Sequence, residues 1–192
     1  MRRACIFCAS SPKVPQVYFS AATRLAELLT SAGWGVVYGG GGVGLMGAVA
    51  DAVLARGGAI TGVIPKFMVD VEWQHDGVED MRQTATMAER KRMMIEMSDA
   101  IVALPGSTGT MDEFFEAMAD EKLGLYTKPL VLLNTDGFFD HTVAQMERMV
   151  REEFMTRRHM DVLTVARTPE EAMAALEAPQ RETPALADAA VK

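Results

Sequence analysis

Residues 35–55 read GVVYGGGGVGLMGAVADAVLA. The apolar run Gly35–Tyr38 predicts a strand, and residues 45–55 predict a helix whose small side chains allow close packing on a sheet. A short apolar run followed by a longer helical pattern recurs along the chain. Strands that alternate with helices of about 10–15 residues indicate βαβ units and a parallel sheet. We therefore expect an α/β fold, a doubly wound parallel sheet with helices on both faces and ligands at the carboxyl ends of the strands.

The same alternation predicts the other elements of the chain. The predicted strands are 4–9, 35–38, 59–64, 100–104, 130–133 and 162–165, and the predicted helices are 17–29, 45–55, 86–97, 110–122, 138–154 and 169–176. The segment 66–83 has no clear period, which predicts a long loop. Residues 1–177 are predicted to form a single domain. Residues 178–192 mix Pro, Ala and charge, which predicts a loose C-terminal tail.

The composition limits the classes of function. The chain has 192 residues, of which 49% are hydrophobic, and its net charge is −7. Nucleic-acid backbones are held mainly by excess Lys and Arg, so we expect no nucleic-acid partner. No apolar run approaches the roughly 20 residues that span a bilayer, so we expect no membrane partner. The start of the chain lacks signal-peptide features, and Cys5 and Cys8 alone make no disulfide framework; both observations favour a cytoplasmic location.

The glycine-rich stretch 39–47 follows a strand and opens a helix, a context in which backbone amides and the helix dipole bind phosphate. It fits G-x-G-x-x-G from Gly39 or from Gly42. NAD binding is disfavoured, because the stretch follows the second strand and no acidic residue ends the third. The alternative is a tight turn in which glycines only permit close packing. The candidate substrate-binding residues here are Gly40, Gly41, Gly44 and Met46. Ser10, at the end of the first strand, is a further candidate, whose alternative role is to form a turn.

A second candidate anion site follows the fourth predicted strand, in LPGSTGTMDE at residues 104–113. Its glycines and hydroxyl residues lead into a helix N-terminus, where amides and hydroxyls hold an anion without net positive charge. Glu113 is open to two interpretations. Thr110 and Glu113 have the spacing of a capping box, which spacing alone favours. The neighbouring carboxylate of Asp112 and the position at the ligand edge of the sheet favour a functional carboxylate instead.

Arg90 lies on the apolar stripe of its predicted helix, with Met93, Met94 and Met97 at i+3, i+4 and i+7. A charged side chain on such a stripe is unusual. Either its stem packs while its head reaches water, or the guanidinium points at a ligand or at a carboxylate such as Glu113. Spacing alone does not decide between these alternatives. The adjacent Lys91 is predicted to lie on a solvated face.

These segments together resemble the Lonely Guy family of cytokinin riboside 5′-monophosphate phosphoribohydrolases, once widely described as lysine decarboxylases. The resemblance covers roughly residues 4–176. It includes CASS at 8–11, VYGGG at 37–41, GLMG at 44–47 and GVIP at 62–65. The family signature P-G-G-x-G-T-x-x-E aligns with residues 105–113, and M-H-x-R-K aligns with 87–91.

The resemblance implies a Rossmann-like nucleotide-binding domain and a homodimer with the site near the subunit interface. It implies hydrolysis of the N-glycosidic bond of a nucleoside 5′-monophosphate to a free base and ribose 5-phosphate, without a metal or redox cofactor. Arg90 and Glu113 are then the catalytic pair. The implied substrate-binding residues are Glu72, Arg90, Lys91, Gly106, Ser107, Thr108, Gly109, Thr110 and Asp112.

The chain departs from the two signatures at two positions. Ser107 replaces a glycine, which weakens phosphate binding if that residue needs a positive φ. Ala88 replaces a histidine. These departures leave open a non-catalytic nucleotide- or cofactor-binding module. A less favoured alternative is a lysine decarboxylase that binds pyridoxal phosphate through a lysine. The lysines that could form this bond are Lys66, Lys91, Lys122 and Lys128. The three histidines are scattered without the spacing of metal ligands, so no metal is expected; they are His75, His141 and His159.

Overall fold

The protein, described in a computed structural model over residues 1–69 and 73–179, is built on a sheet of seven parallel strands. Their order is β4-β3-β2-β1-β5-β6-β7, and each neighbouring pair is parallel. The chain turns from one half of the sheet to the other between β1 and β5, which is where doubly wound sheets bind ligands. The strands are β1 Arg3–Phe7, β2 Gly35–Tyr38, β3 Ile60–Pro65, β4 Asp80–Thr84, β5 Ala100–Ala103, β6 Leu130–Leu133 and β7 Leu163–Ala166.

Helices cover both faces of this sheet, as the sequence predicts. Alternate strand residues divide the core, so that Ala4 and Ile6 face one layer while Cys5 and Phe7 face the other. The first layer packs under α1, α2 and α8, and the second under α4, α5, α6 and α7. The helices are α1 Gln16–Ser31, α2 Gly44–Ala55, α3 Lys66–Val69, α4 Met87–Glu96, α5 Thr108–Lys122, α6 Asp140–Arg151, α7 Arg157–Asp161 and α8 Pro169–Glu177.

The prediction of a single long loop over 66–83 is wrong. The segment contains the short helix α3 and the strand β4, which pairs with β3 from Thr61↔Asp80 to Pro65↔Thr84. β4 lies at the edge of the sheet, and its sequence DMRQT is mostly polar because its middle residues are exposed. An edge strand of this kind lacks the apolar run that identifies the central strands.

The predicted helix 138–154 ends earlier, at Arg151, because Glu153 adopts a positive φ of 64°. A further short helix, α7, follows where the sequence indicated none. α8 ends at Glu177, whose carboxylate accepts hydrogen bonds from Arg2 and from the Trp34 indole. The predicted tail 178–192 lies almost wholly outside the described residues and stays a prediction. None of the helices in the described ranges is long and apolar enough to cross a membrane.

Candidate active site

A cavity of about 340 Å³ lies at the carboxyl ends of the central strands. Its walls come from the ends of β1 to β3, the start of α4 and the first turn of α5, together with Trp73. This is the edge where the sequence predicted ligand binding. The predicted site residues that line the cavity are Ser10, Gly41, Met46, Arg90, Ser107, Gly109, Thr110 and Glu113.

Arg90 reaches the floor of the cavity because of how α4 begins. The N-cap Thr86 accepts a hydrogen bond from the Glu89 amide, at 3.1 Å, and Glu89 in turn accepts from the Ala85 amide, at 2.9 Å. This is a variant of the capping box, in which the return bond comes from the amide of the residue before the N-cap. The cap fixes the first turn of α4 and directs residue 90 toward the sheet.

The guanidinium of Arg90 is buried, so the snorkelling alternative is wrong; the side chain is 7% exposed. Its Nε donates to the Val63 carbonyl and its Nη2 to the Gly39 carbonyl, both at 3.0 Å. Its Nη1 donates to Oε1 of Glu113 at 3.3 Å. The guanidinium thus joins the ends of β2 and β3 to α5. A Cβ on Gly39 would lie 1.9 Å from Nη2, so only glycine leaves room for this arrangement.

Glu113 faces Arg90 and does not cap its helix. α5 begins at Thr108 with Ser107 as the N-cap residue, and in the described part of the chain no side chain caps this end. The capping-box interpretation of Thr110 and Glu113 is therefore wrong. Burial raises the pKa of Glu113 from its ordinary value of 4.5 to about 7, and the attraction of Arg90 limits this rise. A carboxyl group with a pKa near neutrality can exchange protons at physiological pH.

The start of α5 presents backbone to the cavity. Ser107 has a φ of −90°, so the serine that replaces the family's glycine introduces no backbone strain. Gly106 has a packing reason, because a Cβ there would lie 2.1 Å from Oγ1 of Thr110. Gly109 differs: it lines the cavity, and apart from its chain neighbours and the backbone of its own helix no described atom lies within 4 Å of the position of its missing Cβ. The space beside Gly109 is thus open to a ligand, whereas Thr108 is not part of the described cavity wall.

Packing accounts for several features of the first glycine-rich loop, and phosphate binding at the start of α2 stays a prediction. The amides of Leu45 and Met46 donate to the Ala9 carbonyl, at 3.0 and 3.3 Å, so two of the first amides of α2 already have partners. Gly44 has a φ of +64°, and a Cβ there would lie 2.5 Å from the backbone of Ser10. Gly40 has a φ of +77°. Within the described ranges, neither Gly40 nor Gly44 lines the cavity.

Lys91 and Asp112 contact each other instead of lining the cavity. Nζ of Lys91 lies 2.9 Å from Oδ2 of Asp112 and also contacts Oε2 of Glu116. The Lys91 side chain is 12% exposed, so it does not lie on a freely solvated face as predicted. Ala88, the second departure from the family signatures, is exposed. Glu72 lies outside the described residues.

The sequence missed the apolar wall of the cavity. Four methionines contribute to that wall, and only Met46 was predicted there. Scattered methionines resemble core residues, and Trp73 lies in a stretch without periodicity, so neither carried a signal. Of the four candidate lysines, none lines the cavity as far as the structure describes it, which disfavours a Schiff-base site. The described lining residues that the sequence missed are Ile6, Phe7, Cys8, Gly39, Val43, Ile64, Met68, Trp73, Met87 and Met94.

The chain is similar to proteins of one family over most of its length. The model of the family described as possible lysine decarboxylase matches residues 46–176. A protein of Oryza sativa subsp. japonica named probable cytokinin riboside 5′-monophosphate phosphoribohydrolase is 40% identical over 177 residues, which are 92% of this chain and 71% of that protein. A cytokinin riboside 5′-monophosphate phosphoribohydrolase of Arabidopsis thaliana is 37% identical, over 92% of this chain and 78% of its own.

Among solved structures, a molybdenum cofactor binding protein from Rippkaea orientalis has a TM-score of 0.71 at 19% identity, with 92% of this chain and 95% of that chain covered. This likeness concerns the fold alone. The relatives with higher identity align over nearly the whole chain, including the segments that carry Arg90 and Glu113. On these grounds the chain belongs to the Lonely Guy family of cytokinin riboside 5′-monophosphate phosphoribohydrolases.

Proposed function

We propose that this protein hydrolyses the N-glycosidic bond of a nucleoside 5′-monophosphate, either AMP or a cytokinin riboside 5′-monophosphate. The products are the free base and ribose 5-phosphate. The buried pair of Arg90 and Glu113 at the floor of the cavity carries the proposal. The names of the relatives support the same reaction. The cavity of about 340 Å³ is of a size that binds small molecules.

Cleavage of this bond builds positive charge on the ribose ring, as in the oxocarbenium-like states of sugar hydrolysis. The ionised carboxylate of Glu113 stabilises that charge and takes a proton from the attacking water. The water oxygen bonds to C1′ as the C1′–N bond breaks. The leaving base takes up one proton, which balances the proton that Glu113 removes from the water and returns the carboxylate to its ionised form. Arg90 holds the carboxylate in place through the contact at 3.3 Å. This scheme uses no metal or redox cofactor.

The two ends of the cavity suit the two ends of a nucleotide. On the β5 side lie the first turn of α5 and Gly109, where amides and a helix dipole favour a phosphate. On the β2 and β3 side lie Trp73, Met46 and Met68, which form an apolar surface for a planar base. We therefore place the phosphate at α5 and the base beside Trp73, with the sugar above Glu113.

Gly109→Ala tests the phosphate end. An added Cβ enters open space in the cavity, so the protein is expected to be as stable as the wild type or more stable by about 0.4–1 kcal/mol. Binding should weaken by about tenfold, since one charge-assisted hydrogen bond is worth about 1.5–3 kcal/mol. The KM for AMP and the inhibition constant of ribose 5-phosphate, which lacks a base, should rise together. An unchanged inhibition constant of ribose 5-phosphate would contradict the placement of the phosphate at α5.

Trp73→Ala tests the base end. Loss of an aromatic platform for a base costs about 1–3 kcal/mol, so the KM for nucleotides should rise by about tenfold or more. The inhibition constant of ribose 5-phosphate should stay within about twofold. Phe67→Ala is the matched control, because Phe67 is 55% exposed, close to the 58% of Trp73, but does not line the described cavity. Equal effects of the two variants would contradict this placement.

The experiment that tests the function itself is release of free base. The wild-type protein is incubated with AMP and with isopentenyladenosine monophosphate, and the free base is measured by chromatography. Release of base supports the hydrolase, and the ratio of the two rates identifies the preferred base. Binding of either nucleotide without release of base would favour the non-catalytic binding module.

A homodimer and a cytoplasmic location complete the proposal. Val43, Trp73 and Met87 line the cavity and are also exposed, which leaves apolar surface at its mouth that a second copy of the chain would cover. The buried cysteines Cys5 and Cys8 are free thiols, which suits a reducing compartment.

A further inference from the structure

Two helices bring four charged side chains together beside the cavity. α4 contributes the adjacent residues Arg90 and Lys91, and α5 contributes Asp112 and Glu113, also adjacent. Arg90 and Glu113 form the inner, buried pair. Lys91 forms an outer layer, since its Nζ lies 2.9 Å from Asp112 and also contacts Glu116. The two layers connect the same two helices.

The outer layer is a poor contact for a phosphate. Asp112 and Glu116, one helical turn apart on α5, flank Glu113 and both hold the ammonium of Lys91. The three side chains together carry a net charge of −1, which repels an anion. The lysine side chain is only 12% exposed, whereas the two carboxylates are 61% and 37% exposed. The ammonium group of Lys91 is therefore paired with carboxylates of α5.

The inner pair depends on where the two helices lie. Arg90 and Glu113 share one hydrogen bond, at 3.3 Å, so a small movement of α5 relative to α4 would break their contact. Without Lys91, Asp112 and Glu116 would repel each other and would both face Glu113 without compensation. We propose that Lys91 is a positioning residue, which joins α4 to α5 and shields Glu113 from the two flanking carboxylates. This inference rests on the proposed function.

The charges around Glu113 predict the direction in which its pKa should move when Lys91 is replaced. The charged groups that face Glu113 are Arg90 and Lys91 from α4 and Asp112 and Glu116 from α5, and the neighbouring thiols on the β1 side are Cys5 and Cys8. Lys91 lowers the pKa of Glu113, while Asp112 and Glu116 raise it. Removal of Lys91 and removal of Asp112 should therefore move the ionisation of Glu113 in opposite directions.

The test compares Lys91→Gln, Lys91→Arg and Asp112→Asn with the wild type in the pH dependence of kcat. The fall of kcat at low pH, the acid limb of the profile, reports protonation of Glu113. Lys91→Gln should move this limb to higher pH by about half a unit or more, and Asp112→Asn should move it to lower pH. Lys91→Arg keeps the charge and should restore the limb to near its wild-type position. The double variant Lys91→Gln/Asp112→Asn should lie between the two single variants, because one charge of each sign is removed.

Two results would overturn the inference. In one, Lys91→Gln raises the inhibition constant of ribose 5-phosphate by about tenfold while the acid limb does not move, which would make Lys91 a direct phosphate contact. In the other, neither single variant moves the limb. A carboxyl titration of Glu113 by carbon NMR in the same variants gives the same shifts without turnover. Inactive wild-type protein would contradict the proposed function alone, because the NMR shifts would still test Lys91.

Discussion

Glu113→Gln is expected to lower the release of base from nucleoside monophosphates by about a thousandfold, since a positioned acid–base group contributes about 10²–10⁴-fold to a rate. Glutamine keeps the size and the hydrogen-bonding oxygen of the side chain but neither ionises nor accepts a proton. The rate is measured as free base under saturating substrate, with circular dichroism as the check on folding.

Glu121→Gln is the matched control for this experiment. Glu121 also lies on α5, and it is 6% exposed against 7% for Glu113. Burial raises its pKa too, but it does not line the described cavity. Its replacement should leave the rate within about threefold of the wild type. If Glu113→Gln were as active as Glu121→Gln, the catalytic assignment of Glu113 would be wrong.

Glu113 also links stability to pH. Its pKa is about 7 in the folded protein and ordinarily 4.5, so the folded state favours the protonated form. Below pH 4.5 the group is protonated in both states and has no effect. Between pH 4.5 and 7 the unfolded chain ionises more readily, so the wild type loses about 3 kcal/mol of unfolding free energy through this group. Above pH 7 the loss is constant.

The Glu113→Gln variant has no group that ionises at this position, so it does not show this pH-dependent loss of unfolding free energy. Its unfolding free energy should therefore rise relative to the wild type by about 3 kcal/mol between pH 4.5 and pH 7. Urea unfolding of both proteins across this range measures the difference. If the difference in unfolding free energy between the two proteins stayed constant with pH, Glu113 would titrate near its ordinary pKa.

Displacement of the Arg90 guanidinium is the second change with a large expected effect. Arg90→Met leaves the carbonyls of Val63 and Gly39 without their donor and Glu113 without its cation. Removal of one partner of a buried pair costs about 3–5 kcal/mol. We expect a loss of stability of this size and a fall in kcat/KM of about a hundredfold or more.

Gly39→Ala displaces the same guanidinium without a change of charge, because the added Cβ would lie 1.9 Å from Nη2. Its kcat/KM should fall as in Arg90→Met. Gly35→Ala, at the other end of β2, is the control, since a Cβ there would meet the flexible side chains of Met1 and Arg3 at 3.1 and 3.4 Å. An active Gly39→Ala protein would show that the position of Arg90 is not needed for turnover.

The central strands could be predicted because they are buried on both faces and read as short apolar runs. β4 could not, because an edge strand with exposed Arg82 and Gln83 reads as a loop. The family signatures identified both members of the buried pair. Spacing alone could not do so, because a threonine three residues before a glutamate occurs at the start of both α4 and α5, and only Thr86 acts as a cap.

Long-range contacts decide the parts of the site that the sequence left open. The start of α2 has the glycines of an anion site, but the Ala9 carbonyl at the end of another strand already accepts hydrogen bonds from two of its first amides. Lys91 has the position of a substrate contact in the family signature, but two carboxylates one helix away hold it. No local pattern reports such partners, since they come from distant parts of the chain.

Ser107 lines the part of the cavity beside the start of α5, where we place the phosphate, and its backbone is in an ordinary extended conformation. Every L-amino acid except proline can adopt that backbone without penalty. Position 107 is therefore a natural starting point for a saturation library, in which the side chain is varied to retune ligand preference while the scaffold around it stays as it is.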